Sequence, residues 1–549
     1  MTTTQSAPDP VTADGRGPAR RGRAALAGLL AAAVALGVGE LVAGFVGPAS
    51  SPVIAVGDAV IALVPEPVTA FAIRTFGEAD KVALVAGTLV VVSLYALLVG
   101  VLGLRDRRVA VLGVVLFGTV GALAALTRPA GEPADVLPSL AGTAAGVLAL
   151  LALLAPLATA TATGPAPDRP EDQQLLGRLR GVLASGNRNG AGLDRRRFFL
   201  TGAAAVGVAA VSGGAGRLLQ RSSEVTSLRA GIRLPTPSSP AAALPAGADL
   251  SGGIDGLTPL VTRNGEFYRI DTALIAPRIR PAEYRLELTG MFDSPRTYTL
   301  DDLFERADVI ERDITLTCVS NEVGGSLVGS ARWIGVPLAA LLRENGIRPG
   351  SDQLLCRSED GMTIGAPTRS ALDVEDAMLA FGMNGEPLPV IHGFPVRMII
   401  PGLYGYVSAC KWLVSIEATT FDAFDAYWIE RNWAVDGPIR IASRIDTPDT
   451  GREFPAGRRA IAGVAWAQTR GIAKVEVRVD DGNWLEARLS PAVDADLWRQ
   501  WVLLHDFTPG RHVLTVRATG ADGEVQTDER ADPFPAGATG WHSVEVEVG

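Results

Sequence analysis

Residues 313–338 read DITLTCVSNEVGGSLVGSARWIGVPL. Apolar and polar residues alternate over Asp313–Thr317, the period-two pattern of a strand. The strand runs straight into Cys318 and a loop carrying Gly324, Gly325 and Gly329. Glycines let a backbone come close to a ligand. A thiol at a strand end beside such a loop suits a nucleophile or a soft-metal ligand. The competing reading is a small buried hydrophobe. The chain has three cysteines, Cys318, Cys356 and Cys410. Their odd number and the absence of a CxxC pair exclude a zinc knuckle and a dense disulfide framework.

A second cluster lies downstream in EPLPVIHGFPVRMIIPGLYGYVSACKW, residues 386–412. His392, Arg397 and Lys411 stand there among Gly, Pro and apolar neighbours. Cationic and hydrogen-bonding groups in that setting suit a phosphorylated anionic ligand better than a solvated loop. His392 could also pair with Cys318 as in a Cys-His hydrolase.

Around both clusters the pattern is α+β. YRLELTG, DITLTC, DQLLCRS, VRMII and KWLVSIE read as strands, while LDDLFERA, PLAALLREN and SALDVEDAMLAF read as helices. This predicts a catalytic domain over 264–437. From 438 to 549 the chain changes to alternating strands with DDG, TPG and ADG turns, which predicts an immunoglobulin-like β-sandwich. In the turn at 480–482, Gly482 is the residue expected to accept positive φ.

The first 220 residues are different again. The chain has 549 residues and a mean hydropathy of +0.24. Its apolar residues concentrate in segments near 23–46, 82–104, 109–127 and 136–160, each about long enough to cross a bilayer. Glu40 is the one carboxylate well inside them. A weaker fifth segment covers 198–217. Basic clusters at 16–23, 105–108 and 195–197 put the N-terminus inside by the positive-inside rule. Five crossings then place everything after about 218 outside the cytoplasm. The domain reading is a tail over 1–22, a four-helix transmembrane domain over 23–160 and a cytoplasmic linker over 161–197. The fifth span covers 198–217, and a flexible extracytoplasmic tether covers 218–263. The piece 51–77 reads as an extracytoplasmic amphipathic or re-entrant segment.

Arg196-Arg197-Phe198-Phe199-Leu200 is similar to a twin-arginine export signal, with a simple positive-inside anchor as the alternative. The net charge of −9 argues against nucleic acid as a partner. The four histidines all lie outside the spans, and the first four spans contain no methionine. No haem ligation is therefore expected from this chain.

Taken together, TLTCVSN…ARWIGVPL and HGFPVR with its later KW resemble the sulfite oxidase family of molybdopterin enzymes. The resemblance spans about 264–549. It implies a molybdenum-pterin cofactor, with Cys318 as the thiolate ligand and a catalytic residue. Tyr268, Arg269, Ser358, His392, Arg397 and Lys411 would bind the pterin, with the backbone of Ala409 and Cys410 alongside. Arg269 and Tyr427 would also act on substrate, although Tyr427 lies closer to Lys411 than the family spacing. Cys356 and Cys410 read as buried thiols. The resemblance further implies a small sulfur-containing substrate, a separate electron carrier (a cytochrome or quinone-linked membrane protein) and a homodimer through the C-terminal domain.

The sequence departs from the family in two places. Asn321 is followed by Glu322 and Val323 where sulfite oxidases carry arginines. Arg-Ile-Asp (269–271) stands in place of Arg-Asn-His. Both changes weaken an oxyanion site. They leave open a methionine sulfoxide reductase of the same superfamily, and a cofactor-less binding module is the non-enzymatic alternative.

Overall fold

The computed structural model describes residues 18–64, 68, 75, 80–128, 130–158, 190–221 and 224–549. The chain forms two compact units, Met1–Ser223 and Glu224–Gly549.

In the first unit, five helices are long and apolar enough to cross a membrane: Arg20–Val46, Lys81–Leu102, Arg107–Leu126, Pro133–Leu157 and Arg196–Leu219. The first is central, and small residues let its neighbours approach. A Cβ on Gly28 would fall 2.0 Å from the Ala96 carbonyl oxygen, and one on Gly37 would fall 2.7 Å from that of Ala209. Glu40 accepts a hydrogen bond from the Ser51 hydroxyl. The short helix Pro52–Leu63 packs Ala55 and Val56 against Ala124 and Ala125 of the third span. Most of 65–79 and residues 161–189 of the linker expected over 161–197 lie outside the described residues, while Gly190–Arg197 already belong to the helix Gly190–Arg221 that holds the fifth span.

The second unit begins with ten strands. They are β1 (Leu286–Gly290), β2 (Arg296–Tyr298), β3 (Ile310–Thr317), β4 (Val328–Pro337), β5 (Gln353–Ser358), β6 (Thr363–Pro367), β7 (Met378–Met383), β8 (Glu386–Pro387), β9 (Arg397–Ile399) and β10 (Leu413–Thr419). One sheet has the order β2-β1-β10-β5-β6, and the other has the order β3-β4-β7-β8 with β9 also paired to β7. Only β1 and β10 run parallel. A core including Leu286, Phe292, Leu354, Phe381, Met398 and Ile416 joins the two sheets.

The structure corrects three expectations here. Of the run AMLAF, expected to be helical, Met378–Phe381 belong to β7, whose six residues are all buried. A continuous apolar run has no period that separates a buried strand from a buried helix. The expected tether is not free beyond Glu224. Ser239 bridges Ile310, the Arg229 guanidinium donates to the Leu388 carbonyl at 2.7 Å, and Leu250 N–H donates to Gln500 Oε1 at 2.6 Å. At 480–482 the positive φ of 52° belongs to Asp480, not to Gly482. The Asp480 carboxylate accepts from Val513 N–H at 2.8 Å, which fixes that conformation.

The C-terminal part holds β11 (Ala442–Thr447), β12 (Gly457–Trp466), β13 (Ile472–Val479), β14 (Leu485–Glu486), β15 (Arg488–Leu489), β16 (Arg499–Phe507), β17 (Gly510–Gly520) and β18 (His542–Val548). Two four-stranded sheets, β11-β12-β16-β15 and β14-β13-β17-β18, share a core of Ile461, Trp501, Val475, Val477, Leu514 and Val516.

Candidate functional site

Cys318 is the first residue after β3. Its N–H donates to the Leu327 carbonyl at 2.9 Å, and its carbonyl accepts from Asn321 N–H at 3.0 Å. The Asn321 side chain closes the loop by accepting from Leu327 N–H at 2.8 Å. A Cβ on Gly325 would sit 2.6 Å from that same Asn321 oxygen, so the closure requires glycine. Burial pushes the Cys318 thiol up, and Ser320 opposes the shift by hydrogen bonding.

The segment Asn264–Asp271 packs against β4, His392 and Lys411. The His392 Nε2 contacts the Asn264 carbonyl at 2.8 Å, and the Lys411 ammonium donates to the Ile270 carbonyl at 3.0 Å. His392 is only 2% exposed, and burial drives its pKa down to about 4. The imidazole is therefore neutral at pH 7 with Nε2 protonated, the tautomer a carbonyl partner demands. Phe267 stacks on Tyr268 and meets both Trp333 and His392 edge to face. A Cβ on Gly329 would touch the Phe267 ring at 3.0 Å, so Gly329 makes room for this column.

Arg397 lies beneath the same aromatic column. Its guanidinium is over the Trp333 ring at 5.2 Å and donates to the His392 carbonyl at 3.2 Å. It is 5% exposed, and Nε has no partner. Burial lowers its pKa to about 10, so it remains a cation at neutral pH. No carboxylate pairs with it among the described residues. Ser358, at the end of β5, also has a buried hydroxyl without a partner.

The other cations of the site are paired. Asp271, with its side chain 1% exposed, forms ion pairs with both Arg269 and Lys411. The Ala409 amide is committed to the Gly405 carbonyl at 3.0 Å, and the Cys410 carbonyl accepts from Met398 N–H at 2.9 Å. Cys356 and Cys410 are fully buried free thiols.

Cys318 adds to the upward shift of the Tyr268 phenol and Arg397 opposes it, and the Tyr404 hydroxyl accepts from Arg440 N–H at 3.4 Å. Burial raises both phenols. The Tyr427 N–H donates to the Thr363 hydroxyl at 3.0 Å, and its ring lies under Arg431 at 3.6 Å. The sequence reading missed Tyr404, which sits in PGLYGY with nothing polar to mark it. A cleft beside the loop is lined by Thr317, Asn321, Glu322, Tyr404, Trp466 and Gln526, among others, and Glu322 is its one charged group.

Comparison with known proteins follows this geometry. The family described as oxidoreductase molybdopterin binding domain matches residues 273–428. Mitochondrial sulfite oxidase of Mus musculus is 29% identical over 335 residues, covering 50% of this chain and 59% of that protein. Sulfite oxidase of Gallus gallus is 26% identical over 322 residues, covering 49% and 69%. The crystal structure of the sulfane dehydrogenase SoxCD from Paracoccus pantotrophus aligns with a TM-score of 0.47 at 23% identity, over 54% of this chain and 85% of that one. The chain thus spans about three fifths of the length of the mouse relative. Residues 273–428 thus match a molybdopterin-binding oxidoreductase domain, and about half of the chain is similar to sulfite oxidases.

Proposed function

We propose that this chain is a membrane-anchored molybdopterin oxidoreductase that exchanges an oxygen atom with a small sulfur-containing substrate outside the cytoplasm. Arg397 carries the reading. A buried guanidinium with no counterion costs several kcal/mol, and an anionic ligand removes that cost. A phosphate carries about −1.5 to −2 charges at neutral pH and several acceptor oxygens. The unpartnered Arg397 Nε and the unpartnered Ser358 hydroxyl are the donors such a group needs. The residues present therefore fit a pterin phosphate.

Bound there, a molybdenum-pterin cofactor supplies two-electron oxygen-atom exchange. Cys318 would hold the metal; its buried thiol gives up the proton only against a neighbouring positive charge. Arg397, Ser358 and Lys411 would hold the phosphate, and neutral His392 fixes the Asn264 end of the segment that covers the pocket. Tyr268 and Tyr404 keep their phenolic protons at neutral pH, because burial opposes ionisation. The Tyr268 hydroxyl would be the donor to a substrate oxygen at the site. We do not carry a catalytic role to Tyr427. Arg269 acts through its pair with Asp271.

The named relatives favour sulfite over a sulfoxide as the substrate. A cofactor-less binding module would leave Arg397 without a counterion. The five apolar helices support anchoring, and the basic clusters support an N-terminus inside. We read the C-terminal sandwich as immunoglobulin-like and as the place where two copies would meet. Electrons would pass to a separate cytochrome or quinone-linked carrier.

Molybdenum and pterin content of the purified full chain tests the reading. The wild type should hold about one of each per chain, and Cys318→Ser should lose most of the metal. Full metal in Cys318→Ser would end the ligand role. Turnover of sulfite with artificial electron acceptors then tests the substrate.

A further inference from the structure

The cleft beside the Cys318 loop has a wall suited to one kind of ligand. Thr317 and Asn321 stand in that wall on either side of the cysteine, and the Cys318 carbonyl holds the Asn321 N–H at 3.0 Å. Glu322 is exposed and is the one charged residue of the lining. Its carboxylate has no cation and no hydrogen-bond donor among the described residues. The arginine that holds the loop, Arg444, is already committed to Asp446, the Gly325 carbonyl and the Thr258 hydroxyl. Two hydroxyls of the lining have spent their protons. Ser443 Oγ donates to Gln526 Oε1 at 2.6 Å, and Thr539 Oγ1 donates to the Glu529 carbonyl at 2.7 Å. Each keeps only lone pairs for a ligand. Two accepting hydroxyls and a free carboxylate match a primary ammonium, which carries a positive charge and donates three hydrogen bonds. The aromatic residues Trp466 and Tyr404 in the same lining also favour a cation. Space agrees with charge. The cleft encloses about 20 Å³, enough for one group the size of water. An ammonium has that size. A sulfur oxyanion is larger, and its charge would meet that of Glu322.

We propose that this cleft seats the ammonium end of a small amine-bearing sulfur compound, with Glu322 as its counterion. The inference rests on reading Cys318 as the metal ligand, and it names the substrate class of that site. Glu322 is then a specificity-determining residue. It turns the site away from the sulfite that the named relatives suggest, and the two substrates are separable by experiment.

Three matched probes are titrated calorimetrically into the cofactor-loaded full chain in detergent: 2-(methylthio)ethylamine, 2-(methylthio)ethanol and methylthioacetate. They share a thioether and differ in the charge at the other end. The amine should bind about tenfold tighter than the alcohol, and the carboxylate more weakly than either. Glu322→Gln changes an exposed side chain and should bring the amine down to the affinity of the alcohol with the Tm unchanged. Glu322→Asp keeps the charge and should keep most of the preference. Sulfite turnover with artificial acceptors should be inhibited by the amine. Equal binding of the three probes, a preference that survives Glu322→Gln, or sulfite turnover untouched by saturating amine would overturn the proposal. A wild type that holds neither molybdenum nor pterin would instead overturn the reading of Cys318, and with it the substrate role of the cleft.

Discussion

The Arg444 guanidinium on β11 donates to the Gly325 carbonyl of the Cys318 loop at 2.9 Å. The same side chain pairs with Asp446 at 2.6 Å and donates to the Thr258 hydroxyl at 2.8 Å. One residue of the C-terminal sandwich thus ties three segments together and sets the position of the loop that carries the thiol. His542 completes the support. Its ring lies where a Cβ on Gly324 would be, at 2.3 Å, and Gly324 has φ of +80°. Its Nδ1 accepts from Ile445 N–H at 3.0 Å.

Arg444→Met should therefore loosen the Cys318 loop that it touches. It leaves Asp446, 5% exposed, with the Thr258 N–H but without its cation, and unties Gly325. A loss of about 2–4 kcal/mol in stability is expected. Molybdenum should also be lost faster on dialysis, because the loop can move. Arg444→Lys should rescue only part of both, since an ammonium lacks the planar fork that reaches three acceptors. Thermal unfolding and metal content after dialysis check this.

Acid should loosen this body through its buried imidazoles. Burial pushes His392 and His542 down to about 4, below the ordinary value near 6.5. The unfolded chain then binds more protons than the folded one between pH 6.5 and 4. Stability from these groups is complete above 6.5 and is lost as pH falls toward 4. His542→Gln should remove about 1–2 kcal/mol of the difference between pH 7 and pH 5. Denaturant midpoints at the two pH values, read by tryptophan fluorescence, measure it.

Asp496 runs in the opposite direction. It is 6% exposed, and burial with Asp494 and Asp376 nearby raises its pKa to about 7. The folded state therefore holds a proton that the unfolded state has released above about pH 4. Its contribution is present at low pH and is lost as pH rises through 7. Asp496→Asn keeps an acceptor for Thr469 N–H, which now lies 2.7 Å from Oδ1. The variant should gain about 1–2 kcal/mol over wild type at pH 8 and little at pH 5. Equal gains at both values would mean that the carboxyl is not the cause.

The parts of the site that are local in sequence were legible there. Cys318 closes a strand visible from its alternation, and His392, Arg397 and Lys411 lie in one short run between strands. The supports were not legible. Arg444 and His542 meet the Cys318 loop from more than a hundred residues away, and no periodicity marks such a contact. Asp271 was visible only as an acid in an unexpected place; its link to Lys411 depends on β10 folding back. The segment 232–262 looked like a tether because extended chain held by backbone hydrogen bonds leaves no apolar pattern. Tyr427 was chosen for its place after Lys411, while Tyr404, which lines the cleft beside the Cys318 loop, follows a turn at Gly402 with φ +82° that no sequence pattern marks.

Export separates two readings of Arg196 and Arg197, an export signal and a positive-inside anchor. Both side chains are exposed at the start of the fifth apolar helix, while Phe198 after them is buried. As a positive-inside anchor the pair acts through charge, and lysine serves as well as arginine. As an export signal the pair is read by a receptor, which distinguishes the two. Arg196→Lys with Arg197→Lys keeps every charge and changes only the guanidinium groups. We expect the outer body to remain protease-protected in intact cells with its cofactor bound. The four upstream helices should still insert, since their flanking arginines at 105–108 are unchanged. An outer body that reaches the protease-accessible side as in wild type would assign the two arginines to anchoring alone.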